Sequence, residues 1–186
     1  MITAGVDEVG RGCLAGPVVS AAVILKEGVK LDLLKDSKKI SFKKRLQISD
    51  HIKSYSHYAI GLASVEEILE LNILQASLLS MKRALEQLTV KPDLTLIDGN
   101  FAPSGLKNCK TIINGDEKIK VISAASIIAK VFRDKLMIKL AEEFSNYAWE
   151  SNFGYGTKAH LEGLKKFGIT SHHRKGFKPV HKILSN

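Results

Sequence analysis

The chain has 186 residues, of which 45% are hydrophobic and 25% charged, a composition typical of one folded globular domain. Its 28 Lys and Arg residues against 19 Asp and Glu leave a net charge of +9, which favours an anionic partner. No apolar run approaches the roughly 20 residues that a transmembrane helix needs, and no signal-peptide pattern opens the chain. We therefore expect no membrane association and a cytoplasmic protein in which Cys13 and Cys109 are reduced.

The positive charge is concentrated in two segments. Residues 30–58 hold eight Lys and Arg against three acids, and residues 157–182 hold seven against one. One such segment is about as often a solvated surface as a nucleic-acid contact. Two of them in a small domain favour a nucleic-acid partner.

The first half of the chain predicts three strands and three helices. Apolar runs at residues 2–9 and 18–25, joined by a glycine-rich turn, predict a β-hairpin, and residues 57–64 predict a third strand. Between them, the run that starts at Ser41, a candidate N-cap, has helical spacing. Residues 64–88 predict a short helix followed by a longer one that ends before Pro92.

In the second half, residues 93–99 and 110–114 predict two more strands, and residues 119–145 predict a long helix with small residues near its start. Helices between strands indicate that part of the sheet is parallel. The last quarter predicts a helix, a basic loop and a tail. We expect an α/β fold in one domain over residues 1–186, with a helical and basic C-terminal segment at about 150–186.

Four acids follow or end the predicted strands near glycines: Asp7, Glu8, Asp98 and Asp116. Any one of them could simply cap a turn. Neighbouring side chains on a strand face opposite sides, so Asp7 and Glu8 would share a site only if the backbone left strand geometry, which Gly10 and Gly12 would allow. Clustered carboxylates suit hard divalent cations, and two such ions about 3.5–4 Å apart can promote phosphodiester hydrolysis.

Several motifs along the chain resemble those of one family, bacterial ribonuclease HII, a type 2 ribonuclease H. The resemblance runs in order from about residue 5 to residue 181. It rests on VDEVGRG with AGPVVSAAVIL (6–25), DSKK (36–39), LIDGN (96–100), GD with SAASIIAKVFRD (115–134), GYGTKAH (154–160) and HHRKGF (172–177).

This resemblance implies a ribonuclease H-like fold, a mixed five-stranded sheet of three antiparallel strands followed by two more, flanked by helices. It implies cleavage of the RNA strand of RNA/DNA hybrids and nicking of duplex DNA on the 5′ side of a single embedded ribonucleotide, leaving a 3′-hydroxyl and a 5′-phosphate. By the same resemblance the cofactor is Mg²⁺ or Mn²⁺, held by the four acids Asp7, Glu8, Asp98 and Asp116.

The resemblance also implies substrate-binding residues. Gly10, Arg11 and Gly12 match a loop that contacts the ribose 2′-hydroxyl through its backbone, and Tyr155 matches a tyrosine that stacks on the following sugar. Phosphate contacts or support of the acids are expected from Lys38, Lys39, Ser123, Ser126 and Lys130. Asp134 is expected to pair with a neighbouring cation, and the histidines to have surface or hydrogen-bonded structural roles.

Two other functions fit parts of the pattern. A different two-metal nuclease or resolvase of the same fold would keep the acids without needing residues 10–12 and Tyr155 together. A non-catalytic hybrid-binding protein would need the basic segments and not the acids. Asp7 lies too near the start for the added N-terminal domain of ribonuclease HIII, and no partner-binding tail is evident, so we expect a monomer.

Overall fold

The computed structural model describes residues 1–34 and 39–186. Its centre is a five-stranded sheet in the order β3-β2-β1-β4-β5. Strands β1 to β3 are antiparallel neighbours, whereas β4 and β5 run parallel to β1. The strands are β1 (Thr3–Val9), β2 (Val18–Leu25), β3 (Ser56–Ala63), β4 (Leu94–Asp98) and β5 (Cys109–Ile112). This confirms the predicted mixed sheet.

Helices flank the sheet, and their starts follow local capping chemistry. Ser41 caps the first helix by accepting from the Lys44 N–H, as predicted, and Ser64 forms a reciprocal capping box with Glu67. The helices are α1 (Phe42–Ser54), α2 (Val65–Leu71), α3 (Ile73–Glu86), α4 (Gly115–Lys118), α5 (Lys120–Glu143), α6 (Trp149–Asn152), α7 (Lys158–Phe167) and α8 (Lys178–Leu184).

The two faces of the sheet bury separate apolar clusters. Helix α5, with α1 beside it, packs on one face against β1 and β2, and α3 packs on the other face. The small residues at the start of α5 allow this close approach, because Ala124 and Ala125 are fully buried against the sheet. Gly5 of β1 lies so near the α5 backbone that a side chain there would clash with Val121.

A third cluster lies beyond the sheet, where α6, α7 and α8 pack around the second half of α5. Trp149 and Leu164 are buried in it, as is Val180 of α8. The prediction of a basic loop and tail here was therefore incomplete, because residues 178–184 form a helix whose start is favoured by Pro179. No helix in the described ranges is long and apolar enough to cross a membrane.

Candidate active site

A cleft of about 430 Å³ opens where β1 and β4 end. Parallel strands present their carboxyl ends at the same sheet edge, which brings β1 and β4 side chains to one place. The cleft collects all four predicted acids, residues 10–12, Lys130 and Tyr155. Its lining residues are Asp7, Glu8, Val9, Gly10, Arg11, Gly12, Arg45, Asp98, Asn114, Asp116, Ser126, Ile127, Lys130 and Tyr155.

Three carboxylates converge at the floor of this cleft. One oxygen each from Asp7, Glu8 and Asp98 lies within 4.8 Å of the others. The expected departure of the backbone from strand geometry was wrong, since β1 stays paired with β2 through Val9. The ladder with β4 ends at Val6, so the edge of β1 beyond it is open for both side chains. The Asp7 carboxylate also bends along the chain to accept the Glu8 N–H at 2.8 Å.

The fourth acid reaches the cleft through α4, an element that the sequence did not predict. Asp98 Oδ1 accepts the Gly115 N–H at 2.6 Å and the Asp116 N–H at 3.3 Å, which fixes the start of this short helix at the end of β4. A side chain at Gly115 would clash with Ile122. Asp116 is thereby held, 8% exposed, on the same cleft as the three converging carboxylates.

The electrostatics of the three carboxylates favour a bound cation. Burial raises the pKa of Asp7 well above its usual value, and the charges of Glu8 and Asp98 raise it further, against a hydrogen bond from Ser126. Burial also raises the pKa of Glu8, although Arg11 at 3.7 Å opposes this. Glu8 Oε2 is buried with no hydrogen-bond partner among the described residues. An all-oxygen donor set with an unsatisfied buried oxygen fits a hard divalent cation.

Residues 10–12 are called the GRG turn below. Their backbone is held by a buried arginine, Arg174, which lies in the basic segment 157–182. Arg174 is 1% exposed and donates to the carbonyls of Gly10 at 2.6 Å, Arg11 at 2.9 Å and Gly16 at 2.9 Å. Gly10 has a φ of +90°, a conformation that glycine adopts without strain. Arg174 is therefore a structural anchor rather than part of a solvent-facing binding surface.

A second buried arginine that the sequence did not single out supports the chain after this turn. Arg133 of α5 donates to the carbonyls of Ala15 at 2.7 Å, Pro17 at 2.9 Å and Phe153 at 2.5 Å. Its pattern in the sequence is that of any helical Arg, so only the tertiary structure reveals its role.

Tyr155 stands at the rim of the cleft beside Gly12, with 40% of its surface exposed. Its backbone is fixed by a pair of buried histidines. The Thr170 N–H donates to His173 Nδ1 at 2.9 Å, so His173 carries its proton on Nε2 and donates to His160 Nε2 at 3.0 Å. His160 then carries its proton on Nδ1 and donates it to the Tyr155 carbonyl at 2.9 Å. This agrees with the expected structural role of these histidines.

The remaining predicted residues divide between the cleft and other places. Lys130 lines the cleft and pairs with Asp134 at 2.8 Å, which confirms the expected pairing of Asp134. The placement of Ser123 in the site was wrong: it is 2% exposed and donates to the Leu34 carbonyl at 2.9 Å.

Lys39 is exposed and is not among the cleft-lining residues of the described chain, and Lys38 lies outside the described residues. Cys13 and Cys109 are both free. Sequence reasoning missed two cleft residues, Arg45 and Asn114. Ser126, one turn after Ser123 on α5, was expected at the site and lines the cleft.

Comparison with known proteins identifies the family. The sequence profile described as Ribonuclease HII matches residues 4–181. Ribonuclease HII of Pelagibacter ubique is 57% identical over 185 residues, covering 98% of this chain and 99% of the relative. The protein of the same name from Roseobacter denitrificans is 50% identical, covering 97% and 92%. The chain belongs to the ribonuclease HII family.

Solved structures agree with this family and with the ribonuclease H-like fold. Ribonuclease H2 of Pyrococcus horikoshii superposes with a TM-score of 0.83 at 29% identity, covering 100% of this chain and 98% of the other. Ribonuclease HII in a complex with PCNA from Archaeoglobus fulgidus gives 0.75 at 27% identity, with 95% of each chain covered. The protein is accordingly a metal-dependent endoribonuclease with ribonuclease H activity. A merely hybrid-binding role is excluded.

Proposed function

We propose that the protein hydrolyses the RNA strand of RNA/DNA hybrids and nicks duplex DNA on the 5′ side of a single embedded ribonucleotide, leaving a 3′-hydroxyl and a 5′-phosphate. The observation that carries this proposal is the joining of two features in one cleft. Three convergent carboxylates, with Asp116 beside them, share it with the GRG turn and Tyr155.

In this proposal Asp7, Glu8, Asp98 and Asp116 hold two divalent ions, Mg²⁺ or Mn²⁺. Bound there, such ions would supply an activated water and stabilise the leaving oxygen of the phosphodiester. The protein's own part is to hold the carboxylates at the end of two parallel strands. Lys130 and Arg11, both at the cleft, are placed to contact phosphates of the substrate.

Selection for ribose would come from the GRG turn and Tyr155 in the same cleft. The GRG turn has no side chain at two of its three positions, so its backbone amides can approach a sugar closely. The Tyr155 ring would stack on the sugar that follows the ribonucleotide. Together these contacts place the cut beside a 2′-hydroxyl.

A labelled DNA duplex with one ribonucleotide tests the proposal directly. With Mg²⁺ or Mn²⁺ we expect a single nick on the 5′ side of the ribonucleotide, and no nick with EDTA. Asp7→Asn and Asp98→Asn should each lower the rate by at least about 100-fold, because each replaces a charged carboxylate ligand of the metal with a neutral amide. Asp93→Asn is the matched control, since Asp93 lies at the opposite end of β4, where it caps the Ile2 N–H.

The same assay distinguishes the proposed activity from that of a different two-metal nuclease or resolvase. Equal cleavage of the all-DNA duplex, or cleavage of a four-way DNA junction in preference to the ribonucleotide, would favour a different two-metal nuclease or resolvase. Unchanged cleavage by Asp7→Asn and Asp98→Asn would overturn the assignment of the site.

The state of assembly and the location are also proposed rather than observed. We propose that the protein is a cytoplasmic monomer. The PCNA complex of the Archaeoglobus fulgidus protein names the sliding clamp as the partner to test. Light scattering of the protein alone and mixed with a cognate clamp measures the state of assembly and clamp binding, and a stable dimer would contradict the monomer.

A further inference from the structure

Arg174 is a fully buried cation that the proposed chemistry does not use. It comes from the loop before α8, more than 160 residues after the GRG turn that it binds. Two of its three carbonyl acceptors, Gly10 and Arg11, belong to that turn, and both bonds use the terminal nitrogens of the guanidinium.

These two bonds fix the direction of two peptide groups. In a trans peptide the carbonyl and the following N–H point in opposite directions. The Gly10 carbonyl shares its peptide with the Arg11 N–H, and the Arg11 carbonyl shares its peptide with the Gly12 N–H. With both carbonyls turned inward to Arg174, both N–H groups point away from the buried guanidinium.

The side to which these N–H groups point is the cleft. Arg11 and Gly12 are exposed and line it, whereas Arg174 is buried behind the turn. Neither N–H has an acceptor within the described parts of the chain, residues 1–34 and 39–186. Two adjacent donors without an internal partner are available to an external oxygen.

We infer that Arg174 is a positioning residue for sugar specificity: it turns the amides of Arg11 and Gly12 toward the 2′-hydroxyl of the ribonucleotide. The inference rests on the proposed recognition of ribose by the GRG turn. It adds that the direction of those amides is set by a side chain from the C-terminal region.

The surroundings of Arg174 explain why this position needs arginine. The planar guanidinium presents several donors in a fixed fork, whereas a lysine ammonium is a point charge that cannot hold three carbonyls in this geometry. Arg174 is itself held in place. Its backbone N–H donates to the Leu14 carbonyl at 2.8 Å, and its guanidinium carbon lies 5.1 Å from the Phe177 ring centroid. His173, the residue before Arg174, forms an isolated β-bridge with Ala15.

The test compares Arg174→Lys with Arg133→Lys, because both arginines are 1% exposed and each donates to three carbonyls. Arg133 also packs against Gly10 but donates to no carbonyl of the turn, so it controls for the loss of a buried guanidinium that touches the turn without fixing its peptides. Affinity is measured for a duplex with one ribonucleotide and for the same all-DNA duplex, in EDTA and in an Asp7→Asn background so that nothing is cut. The readout is the ratio of the two dissociation constants.

We expect the parent to prefer the ribonucleotide duplex roughly tenfold, the value of one or two hydrogen bonds. Arg174→Lys should bring the ratio close to one, while Arg133→Lys keeps the parent ratio within about twofold at a similar loss of thermal stability. A parent without preference would show that the proposed ribose recognition is wrong. A parent with preference that Arg174→Lys retains, or that both variants lose equally, would overturn the role of Arg174 alone.

A measurement on the unmutated turn keeps the inference testable if Arg174→Lys does not fold. Amide hydrogen exchange by NMR should show the Arg11 and Gly12 amides unprotected in the free protein. The ribonucleotide duplex should protect both of them, and the all-DNA duplex should not. Protection of either amide in the free protein would overturn the inferred peptide direction.

Discussion

At Asp7, burial and two neighbouring carboxylates raise the pKa, so the ionised side chain costs folding free energy at neutral pH when no cation is bound. Because the pKa of Asp7 is higher in the folded than in the unfolded state, its ionisation lowers the free energy of unfolding above the unfolded-state pKa. This loss of stability is relieved as the pH falls. We predict that Asp7→Asn stabilises the metal-free protein at pH 7, because the neutral amide removes a buried charge and its repulsion with Glu8 and Asp98.

Thermal unfolding in EDTA checks this prediction. Asp93 is an exposed acid directly before β4. Asp93→Asn should therefore give no such gain. Added Mg²⁺ should then stabilise the parent more than Asp7→Asn, because a ligand stabilises the folded state by RT ln(1 + [L]/Kd) and the parent binds the ion more tightly. A lower melting temperature for Asp7→Asn in EDTA would contradict the repulsion described here.

The second prediction at this scale concerns the ring of Tyr155, which stands exposed at the rim beside Gly12. Stacking depends on the ring and not on the hydroxyl, so Tyr155→Phe should cut the single-ribonucleotide duplex within about threefold of the parent. Tyr155→Ala should lose roughly tenfold or more, the value of one stacked contact. Single-turnover rates measure both. Equal losses in the two variants would mean that the hydroxyl matters, not the stack.

Among the elements, α7 and the loop before α8 are joined by the His160–His173 hydrogen bond. Burial lowers the pKa of His173 to about 3 and also lowers that of His160. A histidine with a lowered folded pKa contributes stability that is complete above about pH 6.5 and is lost as pH falls toward 3. We predict a loss of about 2 kcal/mol between pH 6.5 and 4.5 from His173 alone.

The measurement is the melting temperature from pH 7.5 to 4.5 for the parent and for His173→Gln. The variant should be less stable at pH 7.5 but should have the flatter pH profile, because it has no group to protonate there. Asp7 and Glu8 act with the opposite sign in both proteins, so the comparison cancels them. Parallel profiles would exclude His173 as the cause.

The elements also show what a sequence can and cannot predict. Alternation and helical spacing predicted all five strands and the long helix α5. Four of the strands and α5 bury apolar residues, whereas the edge strand β5 has no fully buried residue. Helix α4 was missed since its four residues have no periodic pattern and its start depends on Asp98, 17 residues away from Gly115. Helix α8 was missed because its Lys-rich sequence looks like the loop before it.

Within the site, all four acids were placed correctly at one cleft because they stand at or just after strand ends. The role of Arg174 could not be predicted, nor could the partners of His160, since burial of a polar side chain is decided by distant carbonyls and rings rather than by its neighbours in sequence. Ser123 and Ser126 are three residues apart on α5 and have different surroundings that the sequence does not distinguish. Ser123 donates to the Leu34 carbonyl, whereas Ser126 lines the cleft.

Over the whole molecule, two kinds of group recognise different parts of the substrate. The cations behind the net charge of +9 would contact phosphates, and the uncharged backbone of the GRG turn would contact the ribose. Phosphate contacts made by cations weaken with salt, because binding releases counterions, whereas amide contacts to a 2′-hydroxyl do not. Affinity for any duplex should therefore fall about a hundredfold between 50 and 200 mM salt if about four phosphates are neutralised. The preference for the ribonucleotide duplex should stay constant within about twofold.

Two variants sharpen this last prediction, measured as dissociation constants for both duplexes in EDTA across that salt range. Arg45→Ala removes a cation that lines the cleft and should reduce the salt slope by about one for both duplexes while leaving their ratio unchanged. Lys165→Ala removes a cation from a separate groove, lined by α7 and α8, and should leave slope and ratio as in the parent. If the ratio itself fell with salt, the ribose would be sensed through a charged side chain such as Arg11, and the backbone of the turn would not be the reader of the sugar.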